Sequence, residues 1–300
     1  PCSTTSVATF SPREELRWAQ ELLPDRAREP RPRQPPPEAL GVPPPRLQSG
    51  PQHMTCVPEP TDVEPNAPRG DGGQEPPKPL DGVRFAPESA PGPSGRRPEH
   101  LRDLLGCTRR RSVNRLLRAL AETERLADRG LLPRCWNWLL GSRLVFLHKR
   151  SGSKPRPVRV GEVLRRMIAK RSLHQQLPKI RQAMLDAHQY GVAIPGGAEI
   201  LVHARDVIEE TVRNDPAQGV WAAVDVDLVN CFPRLEWDEI DEAVAETLPE
   251  MAAWTAWCHE GPADIHLPSG RLHHAGRGAE QGDPHGSLQA GLVLARRVRR

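Results

Sequence analysis

Hydrophobic and polar residues alternate with a helical period along much of the chain beyond its first third. Over residues 112–129, apolar side chains recur every three or four positions, which predicts an amphipathic helix capped by Ser112 and ended by Gly130. The same spacing over residues 162–177 predicts a second helix, with a boundary at Pro178 because proline lacks a backbone N–H. Further helices are predicted over residues 198–213, 236–248, 251–258 and 288–295.

Short apolar runs predict strands between these helices. Residues 143–148 and 157–160 flank a Ser-Gly-Ser turn, and residues 265–272 surround a second turn, so two hairpins are predicted. The Val- and Ala-rich run at residues 221–226 is interpreted as a buried central strand that ends at Asp227. Helices and strands together indicate an α+β fold.

Composition separates the first hundred residues from the rest. They contain 23 of the 34 prolines and few large apolar residues, so residues 1–100 are predicted to be disordered and partly polyproline-like. The folded part is expected to begin near residue 100. Within this region, a capping box at Ser11-Pro-Arg-Glu14 precedes an apolar face between Leu16 and Leu23. This segment forms either a docking helix or, as we favour, a transient helix, since short isolated helices are marginal in water.

Charge is divided between two blocks, although the net charge is only +4. Residues 101–190 carry 21 Lys and Arg against 6 Asp and Glu, whereas residues 206–250 carry 2 against 13. A basic block attracts phosphates, and clustered carboxylates can hold divalent cations. Both blocks are also compatible with ordinary solvated helix faces.

Several classes of protein are disfavoured. The six cysteines are far apart and include no Cys-x-x-Cys pair, which argues against a zinc finger or a disulfide framework and fits a reducing compartment. No apolar run approaches the ~18 residues of a membrane span, and no secretory signal is visible. The chain begins with Pro1 and reaches Arg300 within a helical pattern, so we expect a fragment of a longer product.

Four groups of residues carry candidate chemistry. Asp227 ends the expected central strand, where a carboxylate needs a partner or a metal, and Asp225 on the same face is the alternative ligand. Lys149 and Arg156 lie on opposite arms of the first hairpin and can contact one triphosphate. Gly282 permits close approach of the backbone to a phosphate or a base. The basic side chains expected to contact nucleic acid are Arg109, Arg110, Arg111, Arg165 and Arg166.

Three specific segments follow one another along the chain. They are Arg156-Pro-Val-Arg-Val-Gly-Glu-Val-Leu-Arg-Arg166, Asp227-Leu-Val-Asn-Cys-Phe232 and Glu280-Gln-Gly-Asp-Pro284. Their residues and order resemble those of reverse transcriptases, especially the enzymes of non-long-terminal-repeat (LINE-type) retrotransposons. The resemblance extends over residues 130–295 and includes residues 191–199, which look like the segment that precedes the catalytic strand in such enzymes.

The resemblance implies a right-hand polymerase. Its fingers would lie over about residues 130–215, and its palm, an antiparallel sheet flanked by helices, would begin near residue 219. The corresponding division of the chain is a disordered region at 1–100, a helical lead-in at 101–142, and fingers with a partial palm at 143–300.

The resemblance also implies roles for individual residues. Asp227 would hold a catalytic metal ion, with the carbonyl of Leu228 as a further ligand, and two Mg²⁺ ions are the expected cofactors. Phe232 would lie beneath the sugar and exclude a 2′-hydroxyl. The other contacts to the incoming nucleotide and the template would be Lys149, Arg156, Gln281 and Gly282.

The implied activity is RNA-directed DNA synthesis from dNTPs on an RNA template and a DNA primer, in the nucleus. The downstream acidic pair of the family is not found in residues 1–300, so these residues alone are expected to be inactive. A maturase-type or domesticated reverse transcriptase is the alternative within the class. Outside it, the alternatives are a catalytically dead nucleic-acid-binding relic and a proline-rich interaction module.

Overall fold

The computed structural model describes residues 7–23, 83–148, 155–215, 224, 226–261 and 263–298. Both helices and strands are present, which confirms the α+β class. The α-helices are α1 (Pro12–Leu22), α2 (Pro98–Leu105), α3 (Arg110–Asp128), α4 (Val163–Asp186), α5 (Gly197–Asn214), α6 (Cys231–Arg234), α7 (Trp237–Thr247), α8 (Pro249–Cys258) and α9 (Gly286–Val298). The remaining elements are a 3₁₀ helix (Arg134–Leu140) and strands β1 (Ser142–Leu147), β2 (Arg156–Gly161), β3 (Ala263–His266) and β4 (Leu272–Ala275).

The four described strands form one mixed sheet in the order β2-β1-β3-β4. β1 and β2 pair antiparallel, from Ser142 opposite Gly161 to Leu147 opposite Arg156, which confirms the first hairpin. β3 and β4 form the second hairpin. β1 and β3 run parallel, so the sheet as a whole is mixed, and an antiparallel palm sheet stays a prediction. A parallel pair needs a crossover connection, and the helices from α4 to α8 lie in that connection.

Residues 7–23 fold onto one face of the sheet, so the prediction of disorder is wrong for this segment. The capping box is formed: the Glu14 backbone N–H donates to the Ser11 side chain, and the Ser11 backbone N–H donates to the Glu14 carboxylate. The apolar residues that pack together here are Ala8, Ala19, Leu23, Leu144, Phe146, Ile265, Leu267 and Ala275. Burial of this face stabilises a helix that would be marginal alone.

Residues 83–100 also belong to the folded part, which therefore begins before the expected boundary near residue 100. The backbone N–H and the hydroxyl of Ser94 each donate to the Glu162 carboxylate at 2.7 Å. Residues 24–82, which hold most of the proline-rich sequence, lie outside the described residues.

Helix α4 continues through Pro178 to Asp186, so the helix end predicted at Pro178 is wrong. A proline in a helix interior costs roughly 3 kcal/mol, because a hydrogen bond is lost and the ring clashes with the preceding turn. The turns beyond Pro178 bury Ile180 and Met184 almost completely, in a core shared with α7 and α9. Each such side chain contributes about 1.5–3 kcal/mol, so their burial offsets the cost.

The central strand predicted at residues 221–226 is not found where the structure describes that run. Val224 and Val226 are in no strand and are 80% and 77% exposed, so the prediction of burial is wrong for them. An apolar run becomes a central strand only if strands pair on both of its sides, and the described strands pair elsewhere. Residues 221–223 and Asp225 lie outside the described residues.

Helices α3, α4, α7, α8 and α9 each bury side chains in the core, whereas the residues of α5 after Gly197 are almost all exposed. Trp254 and Trp257 lie in the core, as predicted, with their ring centroids 5.2 Å apart. The predicted helix near residues 236–248 is confirmed as α7, and Ile240 and Val244 point into the core. Among the described helices, none has both the length and the apolar character that crossing a membrane requires.

Glu124 of α3 gives the fold a specific dependence on pH. Burial raises the pKa of Glu124 to about 7, although the charge of Arg171 opposes that rise. Because this pKa lies above the ordinary value of 4.5, the stability that the bound proton provides is complete below pH 4.5 and is lost as the pH rises through 7. We expect Glu124→Gln to raise the free energy of unfolding by about 1–3 kcal/mol at pH 8 and to leave it unchanged at pH 4.

Urea unfolding followed by tryptophan fluorescence at the two pH values measures this effect. Glu122→Gln is the matched control, because Glu122 lies on the exposed side of the same helix and pairs with Arg125 at 2.6 Å. A gain of equal size in the two variants at pH 8 would contradict the role assigned to Glu124.

Candidate nucleotide and nucleic-acid site

A buried network of ion pairs joins two of the three segments that the sequence singled out. Arg159 of β2 donates to Glu280 at 2.7 Å, and Arg165 in the first turn of α4 donates to the same carboxylate oxygen at 3.0 Å. The Nε atom of Arg165 lies 2.9 Å from the Asp283 carboxylate. We call these four residues the arginine–carboxylate network. It fixes the turn from Glu280 to Asp283 against the base of the first hairpin.

The members of the arginine–carboxylate network are each less than a tenth exposed. Burial lowers the pKa of Arg159, whereas for Arg165 the effect of burial is outweighed by Glu280 and Asp283, which raise its pKa above the ordinary value. Burial by itself would raise the pKa of Asp283, but Arg165 and the backbone N–H of His285 lower it overall. Two guanidinium groups therefore balance two acidic groups in a region shielded from water.

The backbone at Gly282 lies close against the protein's own strand β2, and the approach to a phosphate or a base that the sequence predicted stays a prediction. A Cβ atom at this position would lie 1.9 Å from the carbonyl oxygen of Arg159. Gln281, beside it, is exposed. Helix α9 begins at Gly286, two residues after Pro284. The turn thus presents one polar side chain outward while its backbone is fixed against the hairpin.

Arg165 and Arg166 do not form the nucleic-acid surface that the sequence predicted, because both are 7% exposed. Arg165 belongs to the arginine–carboxylate network. Arg166 donates to the carbonyl oxygen of Ala90 at 2.7 Å, and its guanidinium lies 5.6 Å from the ring centroid of Phe85. The chain before residue 100, which was expected to be disordered, covers this side of α4.

Arg109, Arg110 and Arg111 are exposed at the beginning of α3. The helix begins at Arg110 with Arg109 at the cap position, so the prediction that Ser112 caps it is wrong. No acidic residue occupies the first turn, and the cap makes no side-chain hydrogen bond. Three guanidinium groups and the positive end of the helix dipole all favour a bound anion there. Contact with nucleic acid remains a prediction for these residues.

The hairpin that was predicted to contact a triphosphate is described only in its arms. Arg156 is exposed at the beginning of β2, opposite Leu147 of β1. Lys149 lies outside the described residues. The antiparallel pairing supports a basic hairpin, and its contact with a triphosphate remains a prediction.

The remaining segment, which contains Asp227, is hydrogen-bonded to the residue just before Glu280. Asp227 and Leu228 are exposed. Phe232 packs, partly buried, against the core of α4, α7 and α9. Its carbonyl oxygen accepts a hydrogen bond from the backbone N–H of Ala279 at 2.9 Å. This bond brings the end of the Asp227 segment next to the arginine–carboxylate network.

Magnesium has few candidate ligands in the part of the chain that the structure describes. Among those residues, no three Asp, Glu, His or Cys side chains gather as a metal-binding group. Mg²⁺ prefers several oxygen ligands in octahedral geometry, and Asp227 alone does not provide them. The described residues therefore do not form a two-metal site by themselves, and magnesium binding remains a prediction.

The sequence reasoning missed the partners of Arg159 and Arg165. The available signal was a pair of acidic residues, Glu280 and Asp283, on either side of a glycine in a turn that is otherwise uncharged. Carboxylates in a buried turn need cationic partners, but only the tertiary structure identifies which cations reach them.

Comparison with known proteins adds no further assignment. No protein-family model matches the chain, and no curated protein sequence matches it. The functional inference therefore rests on the three segments and on the contacts that join them.

Proposed function

We propose that this chain contains the fingers and part of the palm of an RNA-directed DNA polymerase, similar to the reverse transcriptases of non-long-terminal-repeat retrotransposons. One observation supports it above all: direct contacts join two of the three segments whose order resembles those enzymes, and the third is hydrogen-bonded to the residue that precedes Glu280. Arg159 and Arg165 bind Glu280, and Phe232 is bonded to Ala279. Motifs that co-occur by chance need not meet in space, whereas parts of one active site must.

In this proposal, exposed residues of the three segments contact substrate, and buried residues hold them in position. Phosphoryl transfer depends mainly on positioning and on neutralising charge. The arginine–carboxylate network fixes the backbone beside Gln281 and Gly282, which would line the pocket for template and nucleotide. Phe232, held by the core, would exclude a 2′-hydroxyl.

Asp227 is the proposed first ligand of a Mg²⁺ ion, together with the carbonyl of Leu228. Two such ions, when bound, would stabilise the attacking and leaving oxygens of the transferred phosphate. Further ligands are proposed in an acidic pair of the kind that the family carries, and Asp225 is the alternative to Asp227.

The other proposed partners are nucleotides and nucleic acids, which basic side chains would contact. Arg156 and Lys149 would contact the triphosphate of a dNTP, and Arg109, Arg110 and Arg111 would contact the phosphates of an RNA template. A DNA primer would supply the 3′-hydroxyl. Enzymes of this kind copy RNA into chromosomal DNA, so the nucleus is the proposed location.

Primer extension on an RNA template tests the proposal. The protein is expressed from its complete reading frame, and the wild type is compared with Asp227→Asn. We expect the variant to lose about 100-fold or more in rate, because a neutral amide is a poor replacement for a carboxylate ligand. Asp264→Asn is the matched control, since Asp264 is an exposed aspartate that pairs with His274 on a hairpin away from Asp227 in the sequence. Equal rates for wild type and Asp227→Asn would overturn the proposal.

A second candidate is a nucleic-acid-binding protein without catalysis. It is favoured by the exposure of Asp227 and by the lack of a three-ligand acidic group among the described residues. This candidate predicts RNA binding that weakens with salt, ignores Mg²⁺ and is unchanged in Asp227→Ala.

A further inference from the structure

A pair of stacked tryptophans on the 3₁₀ helix is not used by the proposed polymerase site. The ring centroids of Trp136 and Trp138 lie 6.0 Å apart, with 27° between the ring planes. Trp138 is 41% exposed, whereas Leu139 and Leu140, which follow it, are buried. An indole that faces water while its neighbours fill the core is a candidate binding surface.

The segment that carries these tryptophans is fixed at both ends. Before it, the indole N–H of Trp257 donates to the carbonyl oxygen of Leu132 at 3.0 Å. After it, the backbone N–H of Gly141 donates to Trp138, and Arg165 donates to the carbonyl oxygen of Leu140 at 3.3 Å. The indoles are therefore presented by a rigid backbone, which reduces the entropy lost on binding.

An exposed arginine completes the surface. The guanidinium carbon of Arg96 lies 5.8 Å from the ring centroid of Trp138. Arg96 is in a turn that is anchored to the body of the protein, because Ser94 makes two hydrogen bonds of 2.7 Å to Glu162. We call Arg96, Trp136 and Trp138 the tryptophan–arginine surface.

The charge around the tryptophan–arginine surface selects for an anion. The described residues 129–148, which include both tryptophans, contain three arginines and no Asp or Glu. Arg134, at the beginning of the 3₁₀ helix, is exposed. A quaternary ammonium or other cationic ligand would meet repulsion here, whereas a polyanion would be attracted.

We propose that the tryptophan–arginine surface binds single-stranded nucleic acid. An unpaired base would stack on Trp138 in place of the Arg96 guanidinium, which would then contact the flanking phosphates together with neighbouring cations. A duplex does not offer this contact, because its bases are already stacked and paired. The proposal shares its ligand class with the proposed function and needs no catalysis.

The chain's own proline-rich sequence is another kind of ligand for exposed tryptophans, because polyproline segments dock on aromatic grooves. The excess of arginine over carboxylate along residues 129–148 favours the nucleic acid, since binding to proline rings gains nothing from positive charge. This alternative is one of the outcomes of the test.

Fluorescence anisotropy with labelled oligonucleotides of about 12 nucleotides tests the proposal on the 300-residue chain. Single-stranded RNA, single-stranded DNA and duplex RNA are titrated with wild type, Trp138→Ala and Trp138→Phe. We expect Trp138→Ala to weaken single-strand binding about 5- to 100-fold and Trp138→Phe to retain most of it, because stacking on an aromatic ring is lost only in the first. Duplex binding should change less than about twofold, since it rests on phosphate contacts. The stronger of the two single-strand interactions identifies RNA or DNA as the source of the ligand.

Two controls separate stacking from charge and from unfolding. Leu131→Ala removes a 49% exposed apolar side chain near the tryptophans and should not alter binding. Arg96→Ala should reduce the slope of log affinity against log salt by about 0.7 for a single strand, whereas Trp138→Ala should leave that slope unchanged. Unchanged urea midpoints for the variants exclude loss of the fold.

Unaltered single-strand binding by Trp138→Ala would overturn the proposal, and so would an equal loss for single strands and duplex. Binding of a peptide with the sequence of residues 31–45 that requires Trp138, with RNA binding unaffected, would overturn it in favour of a proline-rich ligand. If primer extension fails but Trp138→Ala still weakens single-strand binding, only the polymerase proposal is rejected. The two proposals can therefore fail independently.

Discussion

Replacing Arg165 with methionine is expected to lower the free energy of unfolding by about 3–5 kcal/mol. Arg165 is the one member of the arginine–carboxylate network that contacts both Glu280 and Asp283. Its removal leaves two buried carboxyl groups with too little positive charge, and a buried charge without a partner is among the largest single destabilising effects known in proteins.

Urea unfolding of the variant, compared with Arg125→Met, measures this loss. Arg125 is the matched control because its pair with Glu122 lies on the surface, where such pairs contribute about 0–1 kcal/mol. Adding Glu280→Gln and Asp283→Asn to Arg165→Met should recover part of the loss, since the charges left without a partner are then removed as well. A loss below about 1 kcal/mol in Arg165→Met would show that water reaches the network and screens it.

The second large effect is expected for Gly282→Ala. The added methyl group would lie 1.9 Å from the carbonyl oxygen of Arg159 and 2.9 Å from its carbonyl carbon, well inside van der Waals contact. Neither atom belongs to a flexible side chain, so the turn or the strand must move. We expect a loss of about 3 kcal/mol or more in the free energy of unfolding, at the upper end for overpacked sites.

Gly261→Ala is the control for the glycine variant, because no atom lies within 4 Å of the position that its Cβ would occupy. That substitution should change the free energy of unfolding by less than about 1 kcal/mol. Equal urea midpoints for Gly282→Ala and the wild type would show that the turn is not packed against β2. If the proposed function is right, Gly282→Ala also lowers primer extension, because Gln281 is displaced with the turn.

Both variants disrupt the contact between the first hairpin and the turn from Glu280 to Asp283, in which each holds the other in position. The carboxylates of the turn neutralise the arginines of the hairpin and α4, and Gly282 allows the two backbones to touch. A site built this way is preorganised, so an exposed residue such as Gln281 does not have to be ordered when a substrate binds.

The sequence by itself determined the features that depend on neighbours in the chain. Helical periodicity located α3, α5, α7, α8 and α9, and turn residues located both hairpins. The capping box at Ser11 also predicted its own hydrogen bonds. Such signals are reliable because the residues that interact are a few positions apart, so no distant contact is needed to interpret them.

Only the tertiary structure decided which surfaces are covered. Helix α1 is stable because the sheet buries its apolar face, and α4 passes Pro178 because Ile180 and Met184 gain more from burial than the proline costs. The periodicity of α4 indicated a charged outer face at Arg165 and Arg166, but the turn at Glu280 and the segment before residue 100 cover it. These contacts join residues 115 and 76 positions apart, and a local pattern carries no information about such distant residues.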